Sequence, residues 1–246
     1  MIEKQEQQRV MTYLSLFNEM DKHFDTLLKM DSFLPYNDKL KHIINGNYPI
    51  SRFVRLFQND LKYFWELRNH ISHGMKIHEM LYAIPTEQAI EKLQDFVDKI
   101  VTPPLAIEFF RKEVESVQIS FSVLDLLAKF KETHYSSMPV YDGTKFLGVI
   151  TERGLWRWMS EQLLQGNFVK LQSLKVRELP IYTTKNDYVF VSANINIYEA
   201  DEIFTKRRKG WIGLGVMFIT QNGSSNEEII GMVTSEDVAL IDDFIV

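Results

Sequence analysis

The sequence predicts an α+β protein, an all-α helical bundle followed by small β-sheets packed with helices. Three observations predict it. Apolar residues recur at helical spacing through the first hundred positions, the period then changes to short β-rich runs alternating with helical segments, and the second part repeats itself.

With 246 residues, 45% hydrophobic and 25% charged, the chain is of ordinary globular composition and long enough for two domains with separate cores. It has no cysteine, which excludes disulfide frameworks, thiolate metal sites and cysteine nucleophiles and suggests a reducing compartment. The N-terminal MIEKQEQQRVMTYL is charged and amphipathic, and no later segment approaches about 18 uninterrupted apolar residues, so a cytoplasmic protein without a membrane segment is expected. The net charge of −5 is spread over both parts: thirteen Lys/Arg against fourteen Asp/Glu through residue 104, and fifteen against nineteen beyond. Nonspecific nucleic-acid affinity comes from cations neutralising phosphates, so a general nucleic-acid coat is not expected, while a local RNA site stays open.

Val10, Leu14, Phe17, Met20, Phe24 and Leu27 mark a helix over 3–29, and similar patterns predict helices at 37–45, 51–73 and 86–101. Thr86 after Pro85 is an N-cap with Ala89 at N3, and the helix must stop before Pro103 and Pro104. The domain boundary is set there, dividing 1–104 from 105–246. Beyond it, SVQIS, SSMPVY, KFLGVIT, YVFVSA, LGVMFIT and EIIGMVT read as strands, with helices at 121–133, 152–164, 197–208 and 235–243.

SVQISFSVLDLLAKF is similar to YVFVSANINIYEADEIF, and MPVYDGTKFLGVITERG to GVMFITQNGSSNEEIIGMVTSED. Ser120 and Ser192 are 72 apart while Thr151 and Thr234 are 83 apart, which places about 11 extra residues in the hairpin loop NGSSNEE. Each repeat runs strand, helix, strand, strand, helix, and its last strand reads G-x-[IV]-T, as GVIT at 148–151 and GMVT at 231–234. This pattern resembles a CBS domain, and two in tandem resemble a CBS pair, or Bateman module, with repeats at about 105–170 and 171–246.

The resemblance implies an adenine-nucleotide site (AMP, ADP, ATP or a cyclic dinucleotide) where the last strand meets its helix. A Thr hydroxyl and free N–H groups there suit phosphate, and a carboxylate three residues later suits ribose hydroxyls. Thr234 and Asp237 match T-x-x-D, whereas Thr151 is followed by Gly154 in the carboxylate's place, so one competent site is expected. By the same resemblance the first repeat completes that site through Val114, Tyr135, Ser136, Ser137, Met138 and Pro139. Arg207, Arg208 and Lys209, ending a helix, are candidates for phosphate, although the helix dipole alone also favours cations there. The other reading of T-S-E-D is an N-cap box in which Asp237 reaches back to Thr234.

In the helical part, FQNDLKYFWELRNHISHG places Arg68 at about 20° on a wheel begun at Phe57, inside the stripe of Leu61 at about 40°, Phe64 at about 340° and Ile71 at about 320°. An arginine there is costly unless it is paired or faces a polar cleft. Asn69 and His73 share another face, His73 lying about 140° from Arg68, so a common site needs the helix to loosen near Gly74 as a C′ residue, or a second protomer. R-N-x-x-x-H within a four-helix pattern resembles the HEPN family over 1–104. That resemblance implies a homodimer and metal-independent endoribonuclease chemistry, with His73 as acid/base, Arg68 stabilising phosphate charge and Asn69 orienting. HEPN domains also serve as catalytically silent interaction modules, and His73-Gly74 also reads as a simple helix end. The AMPylated HEPN subgroup carries tyrosine two residues after the histidine, where this chain has Met75. His70, His73, His78 and Glu79 lack zinc-ligand spacing, so no metal is expected. Two functions remain: nucleotide-controlled RNA cleavage, or a nucleotide-sensing interaction protein without catalysis.

Overall fold

The computed structural model describes residues 4–78, 83–166, 173–180, 188–207, 214–234, 236–237, 240–241 and 244. The chain divides into two compact units, Met1–Pro104 and Leu105–Asp242, with Phe244 belonging to the first.

The first unit holds α1 (Lys4–Leu28), α2 (Tyr36–Asn45), α3 (Ser51–Leu56), α4 (Gln58–His78) and α5 (Glu87–Val101). Its core joins Val10, Tyr13, Phe17, Met20 and Phe24 of α1 to Leu61, Phe64 and Ile71 of α4 and Leu93, Phe96, Val97 and Ile100 of α5, all buried. Burial of these apolar stripes, spaced three and four residues apart, drives the assembly. Thr86 caps α5, its hydroxyl accepting from Ala89 N at 3.2 Å.

Two expectations change here. The helix read over 51–73 breaks at Phe57 (φ −105°, ψ 21°), where the turn packs its ring 4.9 Å from Phe53 and 5.3 Å from Phe96. And α4 does not end at His73-Gly74: it continues through the glycine to His78. A mid-helix glycine costs about 1 kcal/mol but does not by itself terminate a helix that is held by packing upstream.

Lys39 of α2 is only 3% exposed and is held by Asp21 at 2.6 Å and Asp25 at 2.7 Å, both on α1. Two carboxylates one turn apart present a single negative face to it, which is why the lysine is tolerated inside.

The second unit begins with α6 (Ala106–Phe110) and then contains two repeats. The first has β1 (Val117–Gln118), α7 (Val123–Thr133), β2 (Ser137–Asp142), β3 (Lys145–Thr151) and α8 (Glu152–Leu164); the second has β4 (Tyr188–Ser192), α9 (Ile197–Arg207), β5 (Val216–Thr220) and β6 (Ile229–Thr234). Each repeat forms a three-stranded sheet of the same design, its first strand parallel to the second and the second antiparallel to the third. Even the bulges correspond, falling between Val140 and Tyr141 in one and Ile219 and Thr220 in the other. The architecture is the α+β arrangement the sequence predicts. Most of the helix expected at 235–243 lies outside the described residues.

Each repeat's first helix starts with a capping box. Ser122 Oγ accepts from Asp125 N at 3.0 Å while Asp125 reaches back to Ser122 N. Asn196 Oδ1 accepts from Tyr198 N and Glu199 N at 3.0 Å, and Glu199 reaches back to Asn196 N. Both satisfy backbone donors that a helix start leaves orphaned. Topological alignment offsets the repeats by 74 residues at these caps (Ser122, Asn196), 79 at the bulges (Val140, Ile219) and 83 in the last strand (Gly148, Gly231). The extra length is therefore nine residues in two places, five before β5 and four in the hairpin, instead of about 11 in the hairpin alone. The lettered match of Ser120 with Ser192 misses this because the equivalent caps differ in residue type.

The longer hairpin is ordered by Glu227, which accepts from Asn222 N at 2.8 Å, Asn222 Nδ2 at 2.7 Å and Ser224 N at 3.4 Å. These bonds to Asn222 hold its carboxyl below the usual range. Between the sheets Phe146 meets Tyr188, Phe190 and Phe218 at ring distances of 5.3, 4.9 and 6.4 Å, joined by Val149, Val216 and Met232. Edge-on aromatic contacts of this kind add specificity to the apolar burial.

Segments preceding each repeat's first strand exchange places. Residues 105–111 lie on the second repeat, through Ala106 N donating to Ile195 O at 2.9 Å and bridges from Leu105 to Asn196 and Arg111 to Gly231. Residues 174–177 lie on the first, Val123 N donating to Leu174 O and Val176 N to Phe121 O, both at 2.9 Å, with Val176 and Leu179 in its core. The approach at Gly231 is close: a Cβ there would stand 2.7 Å from Phe110 O and 2.8 Å from Ile107 Cδ1. Gly231→Ala is therefore expected to destabilise the second unit by about 1–3 kcal/mol in denaturant unfolding. An unchanged midpoint contradicts the close packing of α6 on β6.

Candidate functional site

The site is built where β6 ends. Thr234 N donates to Asp237 Oδ2 at 2.8 Å and Thr234 Oγ1 donates to the same oxygen at 2.9 Å. Asp237 thus reaches back to the cap, as an N-cap box would have it, and its carboxylate is fixed at the strand–helix junction. In the first repeat the corresponding threonine does the opposite: Thr151 Oγ1 accepts from Gly154 N at 2.9 Å and caps α8. Replacing the aspartate by glycine removes the carboxylate and reverses the hydroxyl's role, so the two junctions differ chemically although their backbones correspond.

The strap 105–112, docked on the second sheet, carries Lys112 to Asp237. Lys112 Nζ stands 3.8 Å from Asp237 Oδ2 and 5.5 Å from the centre of the Tyr135 ring. Tyr135, half-buried, donates from its hydroxyl to Glu113 O at 3.4 Å. Its ring and Val114 each pack on the cluster between the sheets. Thr234, Asp237, Tyr135 and Val114 are therefore brought into one neighbourhood. Lys112, which the sequence reading passed over, joins them. The one signal for it was its place two residues before Val114 in a segment that crosses between repeats.

The remaining expected residues are placed variously. Met138 is fully buried in the first repeat's own core with Val117, Val123, Leu126 and Val140, so its side chain turns away from the cleft between sheets. Strand alternation puts the buried Ser137 and Pro139 on the opposite face from Met138. Ser136 O accepts from Glu152 N at 3.0 Å and so serves the first repeat's junction. Arg207 is the last residue of α9, and Arg208 and Lys209 lie outside the described residues.

In the helical unit, Arg68 lies in the apolar stripe as the wheel predicts. Its guanidinium is 5.9 Å from the centre of the Phe17 ring, Nη1 donates to Asn69 Oδ1 at 3.2 Å, and Nε is buried without a partner. Tyr13 of α1 is fully buried, its hydroxyl donating to Phe64 O at 2.9 Å, and burial pushes the phenol's pKa upward. His73 is exposed on another face of α4. Because the helix does not loosen at Gly74, one chain leaves Arg68 and His73 about 140° apart. Of the two arrangements considered for a common site, the one that needs the helix to loosen at Gly74 is not formed.

Among the described residues no cluster of His, Asp and Glu suited to a metal occurs, and no helix is long and apolar enough to cross a membrane.

The model of the CBS domain family matches residues 106–155, from the strap through the first repeat's Thr151 junction. The second repeat has the same strand pairing and the same bulge position as the matched one. Similar solved structures include the CBS domain pair of protein MJ0100 in complex with 5′-methylthioadenosine and S-adenosyl-L-methionine (13% identity, 58% of this chain and 98% of that one, TM-score 0.42). Others are CBSX2 in complex with AMP (18%, 57% and 97%, 0.41) and a hexameric CBS-CP12 protein from bloom-forming cyanobacteria (16%, 58% and 75%, 0.42). No curated protein matches the chain.

Arg68→Met keeps length and apolar packing while deleting the buried unpartnered Nε. It is expected to hold or raise the stability of the helical unit, by about 1 kcal/mol, in thermal unfolding. A loss of that size instead shows that the contacts with Phe17 and Asn69 outweigh the burial cost, making Arg68 a structural residue.

Proposed function

We propose that this protein is an adenine-nucleotide-sensing regulator. Its second unit binds the nucleotide at the Thr234–Asp237 junction, and its helical unit, joined through Thr102–Pro104, carries the output as part of a homodimer. The observation that supports this reading is the convergence of Thr234 and Asp237 from the second repeat with Tyr135, Val114 and Lys112 from the first. A carboxylate fixed by two bonds to Thr234 is preorganised for a ribose diol, and a half-buried aromatic ring beside an apolar cluster suits a base. The first repeat's junction lacks the carboxylate, so one nucleotide binds per chain. A ligand reaching across both repeats shifts the unit's conformational equilibrium only by binding its states unequally, and the helical unit reads that shift.

Thermal-shift or calorimetric titration tests this with AMP, ADP, ATP, cyclic dinucleotides and 5′-methylthioadenosine. At a hundredfold excess over Kd the second unit gains about 2.7 kcal/mol, and Asp237→Ala abolishes the gain. If no adenine compound shifts the wild type, the site is not a nucleotide site.

A second reading gives the helical unit HEPN-type endoribonuclease chemistry, with His73, Arg68 and Asn69 in the roles assigned above. What favours it is Arg68, a cation kept in an apolar stripe with a buried unpartnered Nε, the kind of cost retained for function. Since α4 is continuous, His73 of one protomer then acts with Arg68 of the other. Incubation with RNA, with and without AMP, is expected to show cleavage that falls at least about a hundredfold in His73→Ala. RNA left intact by the wild type under both conditions assigns the helical unit to partner binding instead.

A further inference from the structure

We propose that Lys112 makes the site selective for adenosine carrying a 5′-phosphate over neutral 5′-substituted adenosines, an inference that rests on the nucleotide reading above. Lys112 is 29% exposed, on the strap that the Gly231 contact pins to the second sheet. Its ammonium is 3.8 Å from Asp237 Oδ2, an ion-pair distance too long for a hydrogen bond, and it makes no hydrogen bond among the described residues. Asp237 does not depend on it, because the same oxygen already accepts from Thr234 N and Thr234 Oγ1. The lysine is therefore a positioned cation with donors to spare, near both the carboxylate suited to ribose and the Tyr135 ring suited to the base.

A ligand that fills the cleft needs a group to meet that cation, attached to the sugar that Asp237 holds. A 5′-phosphate has the charge and three acceptor oxygens for it, whereas a hydroxyl or thioether has no charge to offer. Without the lysine, a phosphate dianion would share the cleft with the Asp237 carboxylate uncompensated. Lys112 removes that repulsion and supplies an attraction, while a neutral ligand is indifferent to both.

The test is calorimetric titration of the full chain with AMP, adenosine and 5′-methylthioadenosine, for wild type, Lys112→Met and Lys112→Arg, with unliganded melting points confirming the fold. The expected result is that wild type prefers AMP, that Lys112→Met weakens AMP at least tenfold while changing the two neutral ligands less than threefold, and that Lys112→Arg keeps the preference. AMP affinity should also fall with added salt in wild type and lose most of that dependence in Lys112→Met. Equal weakening of all three ligands by Lys112→Met makes the lysine a support for Asp237 and overturns the selectivity. Unchanged AMP binding overturns it too. In both cases the nucleotide reading stands, whereas a wild type that binds none of the three removes that reading and this one together.

Discussion

The contact between the Phe110 carbonyl and Gly231 is the constraint on which the rest of the second unit depends. Only a residue without a Cβ lets the strap pass this close to β6. Because it passes there, the chain enters the first repeat by way of the second. Lys112 and Val114 are carried to the far repeat's junction before β1 begins. Residues 174–177 make the reciprocal crossing. Neither repeat completes its own surroundings, so the ligand proposed for the Asp237 junction would contact both.

The shared sheet design of the two repeats makes the chemical difference between their junctions informative. Thr151 and Thr234 occupy the same place in the same sheet design, yet one hydroxyl accepts from Gly154 N and the other donates to Asp237. The backbone needs no carboxylate to start a helix there, as the first repeat shows by its capped α8. Asp237 reaches back to Thr234 as the carboxylate of an N-cap box does, and the nucleotide role proposed for it is additional to that capping. Arg68 poses the same question in the helical unit, where a leucine would pack without leaving Nε unpartnered.

Much of this was legible in the sequence, for reasons that can be located. Period and punctuation revealed the strands, the Thr86 cap and the stop at the prolines, since these depend on neighbours a few residues away. The repeat and its G-x-[IV]-T strands revealed the junctions and the missing carboxylate at Gly154. What stayed hidden depends on distant groups. The break at Phe57 follows from rings on α3 and α5, the continuation through Gly74 from packing elsewhere along α4, the burial of Lys39 from two aspartates on another helix, and the position of Lys112 from a glycine 119 residues later. Met138 sits in an expected binding stretch, but strand alternation commits its side chain to the first repeat's core.

Hydrogen–deuterium exchange of the full chain with and without saturating AMP reports where the proposed ligand acts as well as whether it binds. Slowed exchange is expected in three separate peptides: around 112–114, around 135–139 and around 234–237. Protection at the Thr151–Gly154 junction alone, or no protection anywhere in the second unit, would contradict a nucleotide site at Asp237.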